Sequence, residues 1–115
     1  MTVQLLNGCG ANGVCDLLAA ALLPGRDGLL YDVIEKADAE YFGFDKTLVI
    51  DRRGDPLGGP SEKARAVASR LKIDEEDILP VKLAENLLEI DVTIIAGSDY
   101  REVIEILKKE KKEAL

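Results

Sequence analysis

The apolar positions of this chain repeat with two different periods. Residues 3–7 (VQLLN) place Val3, Leu5 and Leu6 in a β-compatible run and predict a short core strand. From Val14 the period lengthens. Val14, Leu17, Leu18, Ala21 and Leu22 fall at i, i+3, i+4, i+7 and i+8, one stripe of a helix. The breaker pair Pro24 and Gly25 stops it, and the polar Arg26, Asp27 and Gly28 complete the connection. Residues 29–37 (LLYDVIEKA) alternate loosely and read as a strand, and residues 47–51 (TLVID) form the clearest short one. These two are expected to pair as a long-looped antiparallel hairpin. Ser61, after Pro60, reads as the N-cap of a helix to about Leu71, with Ala64, Val67, Ala68 and Leu71 as its buried stripe and Lys63, Arg65 and Arg70 off it. Residues 78–81 read as extended and 84–88 as a helical turn. Residues 91–97 (DVTIIAG) predict a buried strand. Ser98 or Asp99 then caps a last helix with Tyr100, Val103, Ile104 and Leu107 on its apolar side, Asp99 and Glu102 standing at capping-box spacing. Residues 108–113 extend it as a frayed, mixed-charge end.

The predicted order is β-α-β-β-α-β-α. It implies an α/β fold: a single-domain, two-layer sandwich in which a mixed sheet carries helices packed on one face. The domain is expected over residues 1–107, with 108–115 as a charged tail. The first and last strands are the most apolar and belong at the centre. A length of 115 residues holds one domain, and a composition 47% hydrophobic and 32% charged supplies one modest core and a polar surface.

Charge and residue types exclude several functions. A net charge of −7 argues against nucleic acid and against anionic membrane surfaces as main partners. The longest unbroken apolar run, residues 17–23, is far short of the ~20 residues of a membrane span, and no signal-peptide pattern opens the chain. The chain has no histidine, which removes Ser-His-Asp and Cys-His catalysis and the commonest metal ligand. Cys9 and Cys15 are too few for a zinc site and lack C-x-x-C spacing. They read as buried or half-buried thiols, with a disulfide or redox role as the alternative; the helix dipole would lower a thiol pKa at this position. Cys9 as an enzyme nucleophile would have only carboxylates or lysines as its base. No catalytic residue, no metal site and no cofactor is assigned.

Five residues carry the most specific local pattern. Asn7 precedes Gly8, Gly10 and Gly13, which spell G-x-G-x-x-G between strand and helix, and Asn12 offers an N-cap. A glycine turn at a helix N-terminus attracts anions, and Glu35 and Asp38 lie near where a dinucleotide site wants its acidic residue. A full dinucleotide fold needs two βαβαβ halves, and this chain holds barely one. The structural reading is that Gly8 and Gly10 make positive-φ turns and Gly13 lets the helix approach the sheet. Two further groups stand out. Tyr41, Phe42 and Phe44, in the predicted loop of residues 38–46, can stack on a sugar or a partner, or fold back as a lid on the core. Arg52 and Arg53 open the loop RRGDPLGGP and can grip a phosphate or carboxylate, or pair locally with Asp51 and Asp55. The tripeptide Arg53-Gly54-Asp55 is too short to carry meaning. The acidic run at residues 74–77 reads as a solvated turn rather than a cation site.

Two separated motifs together resemble a known family. Residues 3–10 (VQLLNGCG) open the domain and residues 91–100 (DVTIIAGSDY) close it, in the manner of the LytR C-terminal-type domain of bacterial cell-envelope proteins. The likeness spans about residues 3–100 and is interrupted by the long 38–46 loop and by residues 74–88. It implies a non-catalytic envelope accessory domain that binds a wall glycan, an anionic polymer or a protein partner. It would act on the extracytoplasmic side when part of an anchored parent. In this resemblance Asn7 and Asp91 tie down turns and Tyr100 packs under the sheet. The element order is also similar to that of SPOR-type peptidoglycan-binding domains. The competing reading is a small phosphate- or nucleotide-binding module built on residues 8–13.

Overall fold

The computed structural model describes residues 1–23, 31–55 and 57–113. Its elements are β1 (Thr2–Asn7), α1 (Val14–Leu22), β2 (Asp32–Asp38), β3 (Leu48–Asp51), α2 (Glu62–Arg70), β4 (Leu79–Pro80), β5 (Val92–Ala96) and α3 (Tyr100–Glu113). The expected order holds, with the two-residue β4 added from the stretch read as extended. The breaker pair and residues 29–30 of the second predicted strand lie outside the described residues.

The five strands stand in the order β2-β1-β5-β3-β4. β5, buried at every position, lies at the centre beside β1. It runs parallel to β1 and antiparallel to β3, so the sheet is mixed. β2 pairs parallel with β1, and β4 parallel with β3. The expected β2–β3 hairpin is therefore absent: two strands separate them. α1 makes β1-α1-β2 a crossover unit, and α2 does the same for β3 and β4. A nine-residue loop was too weak a signal of pairing against those crossovers.

Alternate strand positions explain the layers. Val3 and Leu5 of β1, Val49 of β3, and Val92, Ile94 and Ala96 of β5 join one core with the buried stripes of all three helices. The helices thus share one face, as expected. Arg70 locks them together. Its Nε donates to Glu110 Oε1 of α3 at 2.9 Å, its Nη1 donates to the Leu22 carbonyl of α1, and its guanidinium lies 5.0 Å from the centroid of Tyr31. Arg70 is buried, not the solvent-facing residue its position off the stripe suggested. Leu17 errs the other way: it is 52% exposed, and Ala19 takes its place in the core.

The helix ends are set locally. Ser61 Oγ accepts from Ala64 N, the cap expected for α2. α2 stops in a Schellman arrangement: Ile73 N donates to Ala68 O and Lys72 N to Ser69 O, with Lys72 at φ 57° where glycine is usual. Asn12 does not cap α1; Gly13 occupies that position at φ 74° with no side-chain bond. Asp99 precedes α3, but its Oδ1 accepts from the amide and hydroxyl of Thr47 at 2.8 and 2.7 Å, tying β3 to the start of α3. Residues 84–88 form turns rather than a helical turn. α3 continues as helix through Glu113.

Candidate functional site

β1 and β5 end side by side, and the glycine turn leaves the sheet there. Asn7 organises it. Asn7 Oδ1 accepts from Cys9 N and Gly10 N at 3.1 and 2.9 Å, and its Nδ2 donates to Ala11 O at 2.8 Å. Gly8 N donates to Ala96 O of β5. The first three amides of the turn are therefore satisfied from within.

The glycines of this turn serve different purposes from those expected. Gly10 does sit at positive φ, 80°, but Gly8 does not; Gly8 is a contact glycine. A Cβ on Gly8 would stand 2.6 Å from Phe44 Cδ2 and from Ile95 Cγ2. A Cβ on Gly10 would meet the Phe42 ring at 3.3 Å. Gly13 is the reverse: nothing lies within 4 Å of its missing Cβ, so it is there for its positive φ and not for close helix packing. Gly8 and Gly10 are seats for Phe44 and Phe42. The spacing carried this signal, since Gly8-x-Gly10 and Phe42-x-Phe44 share one interval.

The backbone holds the aromatic loop in place. Phe44 N donates to Gly8 O, Ser98 N donates to Phe44 O, and Ala39 N donates to Asn7 O. Tyr41 stacks on Phe44, with ring centroids 4.8 Å apart and planes 16° apart. Phe44 is half-buried, whereas Tyr41 and Phe42 are 61% and 53% exposed. The loop folds onto the glycine turn and still presents two rings to solvent.

The arginines lie elsewhere. Leu48 of β3 pairs with Ile95 and Asp51 with Val92, so Arg52 and Arg53 leave β3 at the other end of β5, about 16 Å away along the strand. Arg52 crosses the helix-free face: its Nε donates to Thr93 Oγ1 and its Nη1 to Val81 O, while Thr93 donates to Gln4 Oε1. Burial lowers its pKa. Arg53 turns to Asp91, whose carboxylate also takes Lys63 and the amide and hydroxyl of Thr2. Burial alone would raise the Asp91 pKa; Thr2 and Lys63 hold it below the usual value. Asn7 ties down the glycine turn, whereas Asp91, expected to tie down a turn, instead holds Thr2 at the start of β1. Tyr100 is partly buried against the core.

The N-terminus of α1 opens onto a shallow groove lined by Asn7, Cys15, Asp16, Lys36 and Asp38. Its one cation, Lys36, is paired with Asp16 at 2.8 Å. Two carboxylates at that rim repel a phosphate, and the amides of Gly8, Cys9 and Gly10 are already engaged. Cys15 lies there as a free thiol, near the carbonyls of Leu5 and Ala37. Its pKa is raised, with burial the largest cause, against the lowering expected from the helix dipole. Among the described residues, no group of His, Cys, Asp and Glu is placed to hold a metal, and no helix is long and apolar enough to cross a membrane.

One further concavity is not announced by the sequence. A cleft of about 630 Å³ lies between the end of α2, the acidic 3₁₀ turn Glu75–Asp77, and α3. Comparisons with family models, curated proteins and solved structures return no match to this chain.

Proposed function

We propose that this is a non-catalytic binding domain of the bacterial cell envelope whose contact surface is the aromatic end of the sheet. The envelope setting rests on the resemblance of residues 3–10 and 91–100 to the LytR C-terminal-type domain. The single observation that carries the binding surface is the seating of the aromatic loop. Tyr41 and Phe42 stay more than half exposed although the loop is fixed by Gly8, Gly10 and Ser98. Two large apolar faces held rigidly in water cost little further entropy when a ligand covers them.

A flat, uncharged sugar face suits this surface better than an acidic polymer. The net charge of −7 opposes a polyanion, and Arg52 and Arg53 stand at the far end, Arg52 bound through Nε and Nη1 to Thr93 and Val81 and Arg53 through Nε to Asp91. Glycan strands of peptidoglycan are therefore the favoured ligand. The phosphate-binding alternative is less favoured, because Asn7 and Ala96 already take the amides of Gly8, Cys9 and Gly10 and the carboxylates of Asp16 and Asp38 line the groove at the start of α1.

Co-sedimentation with sacculi tests this, using walls with and without their covalently attached polymers. Saturable binding to both preparations, weakened about tenfold by Tyr41→Ala or Phe42→Ala in a protein with unchanged circular dichroism, is expected, since stacking residues each contribute on this order. No binding to either preparation, or binding indifferent to both substitutions, would sink the proposal.

A further inference from the structure

The cleft beside α3 has the chemistry of a second docking surface. Its floor is aliphatic: Leu48, Ile73, Leu79 and Ile106 are all partly or largely exposed there, above the buried Leu71 and Val103. The reason is topological. β4 pairs only with Ile50 and Asp51, so the outer edge of β3 beside Leu48 carries no strand. α2 has already ended at Leu71, and the chain turns away through Lys72 at φ 57°. The sheet edge and the flank of α3 are left with a gap between them.

The rim is charged on both sides. Asp74, Glu76 and Asp77 line one wall, and Asp99 and Glu102 the other. Lys46 and Lys72 are the cations that line it. Asp74, Glu76, Asp77 and Glu102 make no ion pair with a described residue, whereas Glu75, in the same acidic run but outside the cleft, is paired with Arg65 at 2.6 Å. Carboxylates facing each other across an apolar floor repel, and that repulsion is relieved by a cation laid between them. A floor of aliphatic side chains favours apolar anchors on the same ligand.

We infer that this cleft docks a basic amphipathic peptide segment of another protein, with aliphatic or aromatic side chains on the floor and Lys or Arg against the two acidic walls. The volume fits the anchors of a short segment and falls in the range, roughly 300–1,000 Å³, of cavities that hold ligands. The lining includes none of Tyr41, Phe42 and Phe44, so this docking does not depend on the glycan reading.

The test uses the whole chain and three labelled synthetic peptides of equal length: a lysine/leucine amphipathic peptide, its glutamate/leucine counterpart, and a lysine/serine peptide of equal charge. Anisotropy is expected to give saturable binding of the lysine/leucine peptide only, weakened at least about tenfold by the pair Asp77→Lys and Glu102→Lys, and weakened by salt. Amide shifts are expected to concentrate at Leu48, Ile73, Val103 and Ile106. Equal binding of the lysine/serine peptide would reduce the effect to net charge and overturn the inference. So would unchanged affinity in the folded charge-reversal variant. Self-association of the protein that the same pair abolishes would make the occupant a second copy, whose α3 carries Lys108 and Lys109, and would also overturn it. Sacculus binding is expected to survive the pair, which separates failure here from failure of the glycan reading.

Discussion

Asp51 is a buried anion that makes no ion pair with a described residue, and replacing it by asparagine isolates what that charge does. The residue ends β3 at 0% exposure. Its Oδ1 accepts from Arg53 N at 3.0 Å, Gly54 N at 2.8 Å and Ser61 Oγ at 2.9 Å, and its Oδ2 accepts from Ser61 N at 2.7 Å. Those bonds fold the loop after β3 back on itself and place Ser61 to cap α2. Asp51→Asn keeps the volume and one acceptor. Its NH₂ then faces Ser61 N, two donors in contact, and Ser61 N loses its partner. A lost bond to a charged acceptor and a stranded buried amide together give a loss of about 3–4 kcal/mol. With a urea slope of about 1.5 kcal/mol per molar, the midpoint falls by about 2 M. Far-UV circular dichroism is the probe, since the chain has no tryptophan. The pH dependence has a definite sign. Burial alone would raise the Asp51 pKa, but the amides of Ser61, Arg53 and Gly54 and the Ser61 hydroxyl bring it below its unfolded value. The charge therefore stabilises fully above about pH 4 and less as pH falls through the folded pKa. The gap between wild type and Asp51→Asn should be constant above about pH 5 and narrow as pH falls below the unfolded value of about 3.9. Asp91, also lowered, titrates in both proteins and cancels. A loss under about 1 kcal/mol, or a gap that does not narrow, would refute this account of the charge.

Three further outcomes follow from single residues. Gly8→Ala should cost about 2 kcal/mol or more, because its Cβ meets Phe44, Ile95 and the Ala96 carbonyl, while Gly13→Ala, strained only by its φ, should cost about 1 kcal/mol; urea melts of both decide it. Lys72→Gly should raise stability by about 0.5–1 kcal/mol, by relieving the left-handed backbone at the end of α2, and an unchanged or lower midpoint would count against that assignment. In a Cys9→Ser protein the remaining thiol, Cys15, should react at least about tenfold more slowly with a disulfide reagent when native than in urea, because burial raises its pKa; equal rates would contradict its placement.

What the sequence disclosed divides along the range of the interactions. The α2 stripe of Ala64, Val67, Ala68 and Leu71 and its Ser61 cap were legible, because period and cap chemistry are written within one helix. So was the interior place of β1 and β5 in the sheet, since the most apolar strands belong away from its edges. Pairing was not legible. β2 and β3 are neighbours in sequence, but each pairs elsewhere, which only the crossover helices decide. Arg70 looked solvent-facing because its partners, Leu22 and Glu110, are 48 and 40 residues away. Among the candidate ligand residues, the glycine turn and Tyr41, Phe42 and Phe44 come together, and Arg52 and Arg53 do not. The antiparallel run of β3 against β5 separates them.

The same topology makes the two ends of the sheet chemically unequal. At the end where β3 stops, Asp51 and Asp91 gather amides, hydroxyls and the side chains of Arg53 and Lys63, so both carboxylates there are spent on holding the chain in place. At the other end the turn is held by one neutral side chain, Asn7, and by aromatic packing on two glycines. Neutral bonds and ring contacts leave the outer faces of Tyr41 and Phe42 unsatisfied by any internal partner of comparable area. Recognition is therefore better placed at the aromatic end, where apolar surface remains to be covered, than at the charged end, where a ligand would first have to displace a carboxylate from its donors.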